Sequence, residues 1–197
     1  MNRRGFTLIE VMIVLAIVAG LIVVGAPRIF KKQTNIKATA RHFLVLTRTV
    51  RNKARINNST YRLVISMDGN TSKYWVEKSS GPVPIDPEAA EKAREEAKNR
   101  SMNDEGPPPL FQPDKSVLKK PESLPDGLRF AQVETVNTKE PITSGEAYIH
   151  FFPEGFVEAG SIQITDGNKL TWTLVFNPLT GQADIIEKAQ SLKDIKR

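Results

Sequence analysis

A single carboxylate stands where it needs a chemical reason. Glu10 is the only charged residue between Phe6 and Ala26, and Arg3-Arg4-Gly5 directly precede that stretch. A helix rising about 1.5 Å per residue over this length reaches roughly 30 Å, the thickness of a bilayer core. A charge within such a span is costly in lipid and calls for a partner cation. The basic pair ahead of it fits a cytoplasmic N-terminus. Nothing else in the chain suggests reaction chemistry. There is no cysteine, which excludes a disulfide framework and thiolate metal ligation. His42 and His150 have no metal-ligand partner at suitable spacing. Asp68-Gly69 and Asp166-Gly167 read as turn chemistry, and no paired carboxylates, phosphate-binding glycine loop or nucleophile motif occur. The expectation is a protein that is not an enzyme and needs no cofactor.

The run Arg4-Gly5-Phe6-Thr7-Leu8-Ile9-Glu10-Val11 resembles the cleavage-and-methylation signal of type IV prepilins and type II secretion pseudopilins. The resemblance implies a prepilin peptidase that cuts after Gly5 and methylates the new N-terminal amine on Phe6. It implies an assembly role for Glu10, paired with the N-terminal amine of a neighbouring subunit. Pro27 matches a proline at which the helices of this family kink, although it also reads as an ordinary helix breaker at the membrane exit. Two plainer readings compete for the segment. A Sec signal would use the small residues Ala19-Gly20 or Gly25-Ala26, but the apolar run is long for one and carries an internal charge. A plain anchor explains the length and the basic pair, but neither Glu10 nor the Gly-Phe junction.

The elements that must carry this segment follow from periodicity. The chain of 197 residues allows one modest domain beyond an anchor. Between Arg28 and Arg62 there are ten Lys or Arg residues and no Asp or Glu. Ile36, Ala40, Phe43, Leu44, Thr47, Val50 and Ala54 recur there at three- and four-residue spacing, predicting a helix to about Ile56 that ends at Asn57-Asn58-Ser59. Its apolar stripe would pack on the exported domain and its other faces would be basic. At 100° per residue, Arg41, Arg48 and Arg55 cluster within about 40°, making a candidate basic patch. Three readings of it stay open: a solvated face, contact with an acidic neighbour or lipid, and DNA binding as the least favoured.

Beyond the helix the period becomes two. Tyr61 to Ser66 and Lys73 to Glu77 read as a hairpin, with Trp75 placed in the core. Between Ser79 and Gly127 regular structure mostly stops; nine of the thirteen prolines fall there, around a charged helical pattern from Pro87 to Arg100. Five more strands are expected: Leu128 to Val133, Ala147 to Phe151, Gly160 to Ile164, Thr171 to Phe176 and Ala183 to Ile186. The predicted fold class is α+β, a long N-terminal helix followed by an antiparallel β-rich head with a Pro-rich insertion. Its divisions are a leader at 1–5, a transmembrane helix at 6–26, an amphipathic stalk at 27–58, a periplasmic head at 59–187 with a flexible insertion at 79–127, and a basic tail at 188–197.

Phe151-Phe152-Pro153-Glu154-Gly155, the Ile162-Gln163-Ile164 strand and Leu179-Thr180-Gly181-Gln182 resemble the head of the GspH/FimT group of minor pseudopilins and pilins. Asp166 and Asp184 are too isolated to form the calcium loop expected of a major pseudopilin. The resemblance implies a minor pseudopilin of a type II secretion system, held in the bacterial inner membrane with its head periplasmic. Its partners would be the prepilin peptidase, other pseudopilins or pilins, the inner-membrane assembly platform and the membrane. The alternative is a minor pilin of a type IV pilus serving attachment, twitching or DNA uptake.

Overall fold

The computed structural model describes residues 8–68, 72–81, 83, 109–168 and 170–195, without the side chains of 21–34 inside the first helix. The Gly5–Phe6 junction, the charged pattern from Pro87 to Arg100 and the last two residues of the tail lie outside the described residues. The first element is one helix, α1 (Leu8–Ile56), of 49 residues. It continues unbroken across Pro27. At 1.5 Å per residue it is about 74 Å long, so only its C-terminal half can pack on a head of ordinary size.

That half is amphipathic as its spacing requires. Ile36, Ala40, Phe43, Thr47, Val50 and Ala54 are buried, joined by Thr39 and Leu46, while Leu44 is half-buried at the margin. The buried Thr47 hydroxyl is satisfied by donating to the Leu44 carbonyl. The helix stops where expected. Asn58 takes φ 45°, and the Ser59 amide reaches back to the Ala54 carbonyl at 3.1 Å. This left-handed cap satisfies an end carbonyl that the helix leaves open, and asparagine is the residue that most readily substitutes for glycine there.

Two antiparallel sheets receive the helix. The first contains β1 (Tyr61–Ser66), β2 (Lys73–Ser79), β3 (Phe111–Pro113), β4 (Glu122–Ser123) and β6 (Glu146–Phe151), in the order β3-β2-β1-β6 with β4 also on β2. The second contains β5 (Arg129–Thr135), β7 (Gly160–Thr165), β8 (Thr171–Phe176) and β9 (Ala183–Ile186), in the order β5-β7-β8-β9. The α+β class with antiparallel sheets and an N-terminal helix therefore holds. Phe43 of the helix lies 4.7 Å from Tyr74 of the first sheet and 5.8 Å from Phe130 of the second, measured between ring centroids. Phe151 and Phe176 meet edge-to-face and tie the sheets together again. One core thus sits among three layers.

Three expectations need correction. Trp75 is not core: Tyr74 and Val76 point inward, so strand alternation sends Trp75 outward, where its indole N–H donates to Glu77. The stretch 109–127 is not a loop hanging from the head. β3 and β4 pair with β2, Leu124 is buried, and Tyr74 donates to Glu122 at 2.7 Å. Both strands were illegible because they are two and three residues long, below the length at which alternation can be read. The tail is not separate through Ile195 either. The Thr173 hydroxyl donates to the Lys188 carbonyl and accepts from the Gln190 amide, and Glu134 accepts from Ser191 Oγ and the Leu192 amide. The outer face of the second sheet carries Ser161, Gln163 and Thr173, all buried, and the tail is what supplies partners to the latter two.

Gly160 leaves no room for a side chain between its neighbouring strand β5 and Ile149 of the other sheet. A Cβ there would lie 2.7 Å from the Glu134 carbonyl oxygen and 3.0 Å from Ile149 Cδ1. Gly160→Ala is expected to destabilise the head by about 1–3 kcal/mol through overpacking against backbone that cannot move aside. A fall in the urea midpoint with an unchanged m-value would register it.

Candidate functional site

The chemistry-bearing residues fall at opposite ends of α1. At its start, Glu10 lies in the first turn, where the helix macrodipole favours a carboxylate. Around it Leu8, Ile9, Met12, Ile13 and Leu15 are all more than half exposed, forming an apolar surface. Among the described residues no helix is long and apolar enough to cross a membrane. The described side chains of the expected 6–26 span run only from Leu8 to Gly20.

At the far end of α1 the turns read from sequence as Pro153-Glu154-Gly155 and Leu179-Thr180-Gly181 come together, and Arg51 joins them. Its Nε donates to the Gly155 carbonyl at 2.8 Å. A Cβ on Gly181 would lie 2.3 Å from Arg51 Nε and 2.5 Å from the Gly155 carbonyl oxygen. Gly155 and Gly181 also have φ of 93° and 63°, a region that side-chain-bearing residues rarely enter. Gly181 is therefore required twice, by backbone conformation and by the space Arg51 fills, and Gly155 by its backbone conformation. The Arg55 stem lies against Gly155 as well, with Cδ 3.2 Å from where a Cβ would stand.

The basic patch is thus divided by use. Arg41, Arg48 and Arg55 are exposed on the helix, whereas Arg51 is half-buried and committed to the two turns. Sequence reasoning missed Arg51, since its charge looked like that of its neighbours. Its position one residue from Val50 on the buried stripe was the available signal.

Two polar clusters on the first sheet also escaped notice. His150 Nδ1 lies 2.6 Å from Glu158 Oε2, and Asn137 Nδ2 donates to Glu158 Oε1 at 2.8 Å. Nearby, Arg62 bridges to its cross-strand partner Glu77 at 2.6 Å, with its guanidinium stacked 4.1 Å from the Phe111 ring centroid and 4.2 Å from that of Tyr148. This stack pins β3 to the sheet and leaves the arginine satisfied. His42 is half exposed and reaches Glu122 at 3.6 Å on the surface. Asp166 Oδ1 accepts from the Asn168 and Leu170 amides, which is turn chemistry. Among the described residues no group of three His, Asp or Glu could hold a metal ion.

Burial pushes the Glu158 carboxyl up, but the hydrogen bonds and charge of His150, with Asn137, outweigh it and hold Glu158 below the usual carboxylate value. A depressed folded-state value contributes stability that is fully present above the unfolded carboxylate pKa. That stability is lost as pH falls through the folded value. Glu158→Gln is therefore expected to lower the thermal midpoint at neutral pH and to lose less on acidification below about pH 4.5 than the unaltered protein does. Melting both proteins across an acid series checks the convergence.

Comparison with known proteins finds a short motif and two similar structures. Residues 1–25 match the prokaryotic N-terminal methylation motif. A comparison with curated protein sequences gives no match. Two structures of the minor pseudopilin EpsH from the type II secretion system of Vibrio cholerae are similar to the chain. One has 12% identity and a TM-score of 0.43, covering 78% of this chain and 97% of that one. The other has 12% identity and a TM-score of 0.42, covering 79% and 95%. The chain carries the methylation motif at the head of its long helix, which continues into the core of an antiparallel head.

Proposed function

We propose that the chain is a minor pseudopilin of a type II secretion system. The observation that carries this reading is the methylation motif at residues 1–25 on a helix whose exposed apolar start stands apart from its own head. In the proposed mechanism Phe6 to Ala26 first anchors the chain in the inner membrane. Cleavage after Gly5 and methylation of Phe6 produce the mature N-terminus. The platform then moves the subunit into a periplasmic pseudopilus, where Glu10 meets a neighbour's N-terminal amine and the apolar starts of the helices bury one another. The sequence motifs of the head support the GspH/FimT group. The same motif equally serves a minor pilin of a type IV pilus, and that is the alternative.

Mass spectrometry of the mature chain tests the reading. The expected N-terminus is N-methylated Phe6, and a chain beginning at Met1, or after Ala19 or Ala26, would end it. Deleting the gene then separates the two filament types. Loss of secreted enzymes with intact surface pili supports the secretion system, and loss of twitching or DNA uptake with intact secretion supports the pilus.

A further inference from the structure

We propose that the outer face of the second sheet is a peptide-binding groove, blocked in cis by the chain's own residues 188–195. Its occupant in trans is an extended segment of another protein that presents a serine followed by an apolar residue larger than leucine. The observations lie wholly within the head, so the inference goes beyond the filament reading and stands without it.

The groove is built from side chains that read main chain. Segment 188–195 runs across the strands of the sheet. On β8 the Thr173 hydroxyl donates to the Lys188 carbonyl at 2.7 Å and accepts from the Gln190 amide at 3.1 Å. Beside it on β7, Gln163 Nε2 donates to the Gln190 carbonyl at 3.0 Å. On β5, Glu134 Oε2 accepts from the Leu192 amide and from Ser191 Oγ. Neighbouring strands lie about 4.8 Å apart, so the path from β8 to β5 is about 10 Å, which four extended residues cover. Four of these five hydrogen bonds go to backbone atoms that any peptide carries, and the fifth demands a hydroxyl. Backbone bonds for affinity, with a specifying position among them, are the pattern of extended-peptide recognition.

The segment in cis fits this groove imperfectly. Ser161 on β7, opposite Glu134 and Val175, is fully buried, and its hydroxyl has no hydrogen-bond partner. A buried polar group without a partner is rare and destabilising. Next to the Glu134 latch an open cleft of about 290 Å³ runs between Val136, Pro141 and Leu192. Leu192 is half-buried and leaves that cleft open, so a larger apolar side chain has room to enter. Lys188, Ala189, Lys193 and Asp194 are exposed, and the segment therefore gains little from apolar burial. A stretch held mainly by hydrogen bonds opens at a lower cost than the core beneath it.

The test uses the full chain in detergent, the same chain ended after Glu187, and a fluorescein-labelled synthetic peptide of residues 187–195. Fluorescence anisotropy reads binding, and emission from buried Trp172 reports whether each chain is folded. The shortened chain is expected to bind the peptide. The full chain should bind it at least tenfold more weakly, because its own segment competes at a millimolar effective concentration. Ser191→Ala in the peptide should cost about tenfold, the loss of a hydrogen bond to a carboxylate, and Leu192→Phe should gain about threefold. Ser191→Ala within the full chain should raise its affinity for the unaltered peptide, since the blocking segment then lacks its latch. If the shortened chain is unfolded, that gain decides alone. No binding to a folded shortened chain, equal binding by the full and shortened chains, or an affinity unmoved by Ser191→Ala in the peptide each overturns the proposal. So does a Leu192→Phe peptide that binds no more tightly, or a Ser191→Ala full chain that binds no better than the unaltered one.

Discussion

Replacing Glu10 with valine is expected to leave membrane insertion intact and to reduce incorporation into filaments about tenfold or more, since in the proposed mechanism it removes one partner of a pair that low-dielectric surroundings make strong. Insertion should even improve slightly, because the substitution removes the single charge from the span. The variant therefore separates assembly from anchoring, which truncation of the segment cannot do. Quantifying the chain in membranes and in sheared filaments measures the two steps side by side. Equal incorporation of Glu10→Val and the unaltered chain would make Glu10 incidental and remove the pairing from the mechanism. Its place in the first helical turn adds a local reason for a carboxylate, worth a few tenths of a kcal/mol, which is too small to mimic the expected loss.

The second large effect concerns the core that holds helix and head together. Phe43→Ala is expected to destabilise the head by about 3–5 kcal/mol, because the ring is fully buried where three layers meet. Tyr74 and Phe130 would each lose an aromatic neighbour, and neither sheet can close the gap without drawing the other inward. Against a total stability of about 5–15 kcal/mol this is a large fraction. Val45→Ala, two residues along and 62% exposed, is the matched control and should change stability by less than about 0.5 kcal/mol. Buried Trp172 offers a fluorescence signal for unfolding of the full chain in detergent. Comparable midpoints for Phe43→Ala and Val45→Ala would mean that α1 is not part of the cooperative core.

Much of the architecture was legible because it is local. Val50 and Ala54 repeat the spacing of Phe43 and Thr47, and that period alone orients the helix, since residues three and four apart must share a face. Asn57-Asn58-Ser59 marked the helix end because few residues tolerate the left-handed conformation that Asn58 adopts. The long strands stood out for the same kind of reason: six residues of alternation are enough to distinguish period two. β3 and β4 had no such length, and they exist only because β2 offers them an edge. Trp75 was misplaced because burial depends on which parity of the strand faces the helix, and large side chains on the other parity look equally apolar.

The sequence by itself determined the N-terminal methylation motif, the position of Glu10 in an apolar run, the period and end of the helix, and the α+β class. Each of these is written in residues within a few turns or strand positions of one another, so near-neighbour chemistry suffices to read it. Only the tertiary structure decided that Arg51 serves two turns that lie about a hundred positions or more away along the chain, while Arg41, Arg48 and Arg55 stay exposed. It also decided that Glu158 finds His150 and Asn137, and that residues 188–195 cover the polar face of a sheet. A charged side chain's use depends on what the folded chain brings to it, and burial then makes an unsatisfied group too costly to leave alone.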